Sequence, residues 1–111
     1  MTVKKKKYKV LCIIPARGGS KGIKLKNLSK LNNKPLIYYP ISAAKKSGVC
    51  DEIFVSTDSK KIANVAKKYG ADVPFLRKKK FSGSLTTTEE TLKNALLSYE
   101  NYYQQKFDIC V

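Results

Sequence analysis

Residues 8–14, YKVLCII, are an almost unbroken apolar run that ends directly on Pro15-Ala16-Arg17-Gly18-Gly19-Ser20-Lys21-Gly22. A strand with one wet face alternates apolar with polar residues. A run without alternation is buried on both faces, as in a parallel sheet covered by helices. This feature narrows the chain to a layered α/β architecture. The glycine-rich exit leaves two readings open: a plain bend, or a cradle for an anion.

The remaining segments fit that frame. Residues 15–34 make a loop longer than usual for a strand-to-helix connection, and unusual loop length points to function. Pro35 suits the first turn of a helix running to about Lys46 and stopped by Gly48, with Pro40 as an interior obstacle that kinks it or moves its start. EIFVST, 52–57, reads as a second strand. Asp58 or Ser59 caps the next helix, whose Ile62, Val65, Ala66 and Tyr69 fall at helical spacing before Gly70. DVPFL, 72–76, is a short third strand that Pro74 confines to an edge. After a polar loop, 77–85, a capping box of Thr86 with Glu89 or Thr87 with Glu90 starts a helix presenting Leu92, Leu96, Tyr99 and Tyr103. FDICV, 107–111, is a final strand. The order β-α-β-α-β-α-β implies a largely parallel sheet between helices, with a basic tail at 1–7 and one domain over 8–111. An apolar strand at Val111 predicts that the natural sequence continues.

Composition removes several function classes. The 111 residues include no histidine, so His-based catalysis and His metal ligands are excluded. No stretch approaches the roughly 20 apolar residues of a membrane span. The lysine-rich start lacks the small residues of a cleavage site and is not read as a signal peptide. Cys12, Cys50 and Cys110 have no CxxC spacing, and a reduced cytoplasmic setting is expected. The net charge of +15 raises a nucleic-acid hypothesis. Yet of 23 basic residues only Arg17 and Arg77 are arginine, and planar phosphate and base-edge recognition favour arginine. The lysines read first as solvated surface.

The loop matches neither the P-loop nor the dinucleotide fingerprint, because Gly22 follows Lys21 and the glycine spacing differs. Its ingredients still suit phosphate. Gly18 and Gly19 allow close backbone approach, Ser20 adds a hydroxyl, and Arg17 and Lys21 bring charge. In an open α/β sheet ligands bind at the carboxyl ends of strands, where this loop falls.

Taken together, IIPARGGSKGIKLKNLSKLNNKPLIYYPI, VSTDSKKIANVAKKYGADVPFLR and SGSLTTTEE resemble, in order, the opening of the acylneuraminate cytidylyltransferases, or CMP-N-acetylneuraminic acid synthetases. The resemblance implies a three-layer, Rossmann-like nucleotidyltransferase fold of the glycosyltransferase-A-like kind, truncated at its C-terminus. It implies transfer of CMP from CTP to a nine-carbon sugar acid, with Mg²⁺ assisting and pyrophosphate leaving. Carried over by position, Arg17 and Lys21 hold the triphosphate and stabilise the leaving group as catalytic residues. Gly18, Gly19 and Ser20 wall the loop, Lys26 and Asn27 contact phosphate and ribose, Arg77 helps read the cytosine, and Thr88 lies near the nucleoside. The metal ligands, the sugar site and the element of an expected homodimer would lie beyond this chain, with Asp58 kept as an N-cap. Lys24 in place of a usual proline and Ser84 in place of a common aspartate depart from the pattern. A Kdo cytidylyltransferase and a basic nucleic-acid-binding module are the alternatives.

Overall fold

A computed structural model describes residues 9–18, 28–77 and 88–110. The basic tail 1–7 and the expected capping boxes at Thr86 and Thr87 lie outside the described residues. Strand β1, Val10–Pro15, is buried from Val10 to Ile14. Alternation along it divides the continuous apolar run between two cores. Cys12 and Ile14 face one side, with Ile37, Ile41, Val55, Ile62 and Ala66, while Leu11 and Ile13 face the other, with Phe54, Ala95 and Tyr99. This is the two-faced burial that the run predicts.

Strand β4, Glu52–Ser56, lies parallel to β1, with Leu11 opposite Glu52 and Pro15 opposite Ser56. Strand β5, Ile109–Cys110, pairs parallel on the other side of β1, giving the order β4-β1-β5. Two carboxylates fix the entry to β1. Asp51 Oδ2 accepts from the Val10 amide at 2.6 Å, and Asp108 Oδ2 accepts from the Lys9 amide at 2.9 Å.

The first departure from the sequence reading lies in the long loop. Lys30–Leu31 (β2) and Lys34–Pro35 (β3) pair as an antiparallel hairpin. Its turn puts Asn32 at φ 51° and Asn33 at φ 66°. Left-handed conformations at both central residues define the tight hairpin turn whose twist matches its strands, and asparagine tolerates them well. Pro35 therefore belongs to the hairpin, and helix α1, Tyr38–Ser47, starts later than expected. Pro40 becomes its third residue. There the missing N–H costs nothing, because first-turn amides have no acceptor within the helix. Gly48, at φ 70°, ends α1 with a left-handed cap.

Helix α2, Lys60–Lys68, is capped by Ser59, whose hydroxyl accepts from the Ile62 amide at 3.2 Å. Asp58 does not hold that role. The expected third strand shrinks to a single parallel bridge between Asp72 and Phe54. The chain rejoins the edge of β4 only at Arg77, whose amide donates to Thr57 O at 2.6 Å. Pro74, without an N–H, interrupts the ladder between those points. Helix α3, Thr88–Tyr103, covers the second core with Leu92, Ala95, Leu96 and Tyr99.

Asp72 also anchors α3. Its Oδ2 accepts from Tyr99 OH at 2.9 Å and from Tyr103 OH at 2.6 Å. Burial, and then the bond to Asp72, push the Tyr99 phenol well above its ordinary range. The bond to Asp72, and then burial, push Tyr103 up to about 12. Both phenols hold protons in the folded chain that the unfolded chain releases near pH ~10. Their stabilisation is therefore complete below about pH 10; the Tyr103 share is lost as pH rises from there through about 12, and the Tyr99 share, shifted further up, is lost later. Urea unfolding across that range should show the loss, and the double variant Tyr99→Phe, Tyr103→Phe should flatten it. An unchanged slope in the double variant would remove the tyrosines as its cause.

Candidate functional site

Because β1 and β4 run parallel and in register, their carboxyl ends deliver Ala16, Arg17 and Gly18 beside Ser56, Thr57 and Asp58. The Ala16 amide donates to Ser56 O at 2.9 Å, extending the ladder one step past β1. Arg77 approaches from the far edge of β4. Its Nε donates to Ser56 Oγ at 3.1 Å and its Nη2 to Ser56 O at 2.7 Å. Ser56 is 3% exposed and Thr57 is fully buried, so this anchor is rigid.

Charged groups surround the Arg77 guanidinium. Burial lowers its proton affinity, the Asp58 carboxylate raises it, and the Arg17 guanidinium lowers it again. The guanidinium stays charged regardless, since arginine does not deprotonate in proteins. The chain's two arginines, 60 residues apart by number, thus share one electrostatic neighbourhood with a single carboxylate. Two fixed cations against one anion leave an excess of positive charge that an anionic ligand would neutralise. A cavity of about 330 Å³ opens beside Arg77, between the 75–77 segment and α3, lined by Phe75, Asn94, Ala95, Ser98 and Tyr102. Thr91 also borders it, and Thr88 stands one turn earlier on the same helix.

Of the expected site residues, Arg17, Gly18 and Arg77 are brought together. Thr88 is placed by its backbone at the start of α3. Gly19, Ser20, Lys21, Lys26 and Asn27 lie outside the described residues. Ser56 and Asp58 are the residues that sequence reasoning missed. Asp58 Oδ1 accepts from the Gly18 amide at 2.8 Å. The only local signal for it was STDS, in which either Asp58 or Ser59 could have capped α2.

Fold and site together define a parallel α/β domain that gathers Arg17, Asp58 and Arg77 at the carboxyl ends of its strands, where ligands of open α/β sheets bind. The chain belongs to the cytidylyltransferase family, whose sequence pattern it matches over residues 11–106. It is 44% identical over 102 residues to pseudaminic acid cytidylyltransferase of Campylobacter jejuni, an alignment covering 92% of this chain and 44% of that protein. It is 45% identical over 92 residues to CMP-N,N'-diacetyllegionaminic acid synthase of Legionella pneumophila, covering 83% and 40%. It is 40% identical over 94 residues to N-acylneuraminate cytidylyltransferase of Escherichia coli, covering 85% and 22%. The chain therefore spans less than half the length of these relatives. In fold it is similar to CMP:2-keto-3-deoxy-manno-octonic acid synthetase, solved in complex with CTP. The TM-score is 0.64 at 21% identity, over 85% of this chain and 35% of that one.

Proposed function

We propose that this chain carries the CTP-binding part of an enzyme that transfers CMP from CTP to a nine-carbon sugar acid of the sialic acid type. The observation that carries this reading is Arg77 bonded to Ser56 at the carboxyl end of β4, beside the exit of β1 where Arg17 follows Ala16. In the reaction a sugar hydroxyl attacks the α-phosphorus and releases its proton to solvent, the new P–O bond forms, the bond from the α-phosphorus to the α–β bridging oxygen breaks, and pyrophosphate leaves with the electron pair. Phosphoryl-type transfer asks the protein chiefly for positioned positive charge. Arg17 supplies it on the triphosphate, and Lys21 would add to it on the leaving group. Gly19 and Ser20 would wall the loop, Lys26 and Asn27 would contact phosphate and ribose, and Thr88 would lie near the nucleoside. Arg77, hung on Ser56, lines the cavity we assign to the base.

Family resemblance brings Mg²⁺ into the reaction. Among the described residues no three His, Cys, Asp or Glu side chains gather to hold an ion, and Asp58 Oδ1 is committed to the Gly18 amide. These residues do not make a magnesium site. Relatives named for pseudaminic, legionaminic and neuraminic acids align at 40–45% identity. Identity to these relatives therefore does not single out one sugar acid for this chain. The same proposal includes a cytoplasmic enzyme acting as a homodimer. No helix among the described residues is long and apolar enough to cross a membrane.

Calorimetric titration tests the reading. CTP should bind more tightly than ATP, the preference should survive raised salt, and the chain alone should form no CMP-sugar. Equal, strongly salt-dependent binding of any oligonucleotide would favour the basic-module alternative instead.

A further inference from the structure

We propose that Asp58 is a positioning residue that sets Arg17 by holding the backbone of the glycine turn. Arg17 lies between two residues whose amides are both bonded to the exit of β4. On one side the Ala16 amide donates to Ser56 O at 2.9 Å. On the other the Gly18 amide donates to Asp58 Oδ1 at 2.8 Å. The first bond continues the sheet and needs no particular side chain. The second exists only because residue 58 presents an acceptor at that place. Among the described residues it is the bond that holds the chain just after Arg17.

Three neighbours support this role. Ser59 takes over the capping of α2, which leaves the Asp58 carboxylate available. Thr57 Oγ1 accepts from the Ser59 amide at 3.1 Å and fixes the turn that aims Asp58 toward β1. Residue 18 must also come close. A Cβ there would stand 2.8 Å from Ser59 Cβ and 3.2 Å from Asp58 Oδ1, so glycine is what lets the amide reach the carboxylate. Asp58 is also near enough to Arg77 to raise its proton affinity, which puts the clamp on Arg17 inside the same corner as the second arginine. The segment from Ser56 to Asp58 therefore sets both cations, Arg77 through Ser56 and Arg17 through Asp58.

The clamp itself follows from the geometry. Its consequence for nucleotide binding rests on the CTP reading above. Three variants separate acceptor from charge: Asp58→Asn keeps an acceptor without charge, Asp58→Glu keeps charge with the acceptor displaced, and Asp58→Ala has neither. Two readouts follow, hydrogen exchange of the Gly18 amide by NMR and CTP affinity by calorimetry, with circular dichroism confirming the fold. The expected result is slow Gly18 exchange in the parent and in Asp58→Asn, and exchange at least about tenfold faster in Asp58→Ala and Asp58→Glu. CTP affinity should stay within about fivefold in Asp58→Asn and fall about tenfold or more in the other two. Should Asp58→Ala fail to fold, the contrast between Asn and Glu still decides. Unchanged Gly18 protection in Asp58→Glu and Asp58→Ala would overturn the proposal, as would Asp58→Asn behaving like Asp58→Ala. If the parent chain binds no CTP, the nucleotide reading fails while Gly18 exchange still tests the clamp.

Discussion

Replacing Arg77 by alanine should weaken CTP binding by roughly 10- to 100-fold, the range expected when a charge-assisted contact is removed from a partly buried site. The fold should survive, because Ser56 O keeps its bond from the Ala16 amide. Lysine should restore little. It cannot bridge Ser56 Oγ and Ser56 O with a planar fork while offering its remaining donors to a ligand. Removing Arg17 should weaken binding by a similar factor. The double variant should lose less than the product of the two, because the arginines share one neighbourhood and each opposes the other's charge. Calorimetry on the single and double variants checks this. CTP affinity unchanged in Arg77→Ala would detach this corner from the nucleotide.

The largest loss of stability is expected from Phe54→Ala, about 3–5 kcal/mol. Phe54 is fully buried on β4, and its ring packs against Tyr99 at 4.7 Å and Phe75 at 5.5 Å between centroids. Its two chain neighbours tie Asp72 to the sheet: the Asp72 amide donates to Ile53 O at 2.7 Å and the Val55 amide donates to Asp72 O at 3.1 Å. Truncation would open a cavity under α3 and loosen the position of Tyr99, whose hydroxyl meets Asp72. Domains of this size are stable by about 5–15 kcal/mol, so the loss is a large fraction of the whole. Phe75→Ala, at a half-buried position, should cost clearly less. Urea midpoints of the two variants decide, and equal losses would contradict the placement of Phe54 at the centre of the second core.

Some of this was readable directly. Two-faced burial of β1 follows from an apolar run without alternation, and α2 and α3 follow from helical spacing of Ile62, Val65, Ala66 and of Leu92, Leu96, Tyr99. The rarity of arginine marked Arg17 and Arg77 before any geometry was known. The hairpin at 30–35 was less visible, because Asn32-Asn33 carries its left-handed turn without a glycine and among lysines. Missing the hairpin also misplaced the start of α1 and made Pro40 look like an obstacle.

Residue spacing and motif are enough for the layered α/β class, most helices, the strand that exits into glycine, and the family. Those properties depend on residues a few positions apart, whose spacing and conformational preferences act locally. Tertiary structure decided that Ser59 and not Asp58 caps α2, that the third strand is a single bridge, and that Asp58 reaches the Gly18 amide. Gly18 and Asp58 are 40 residues apart, and Arg77 meets Ser56 across 21. Such contacts exist only once β1 and β4 pair in register, and register is set by the two cores on either side of the sheet.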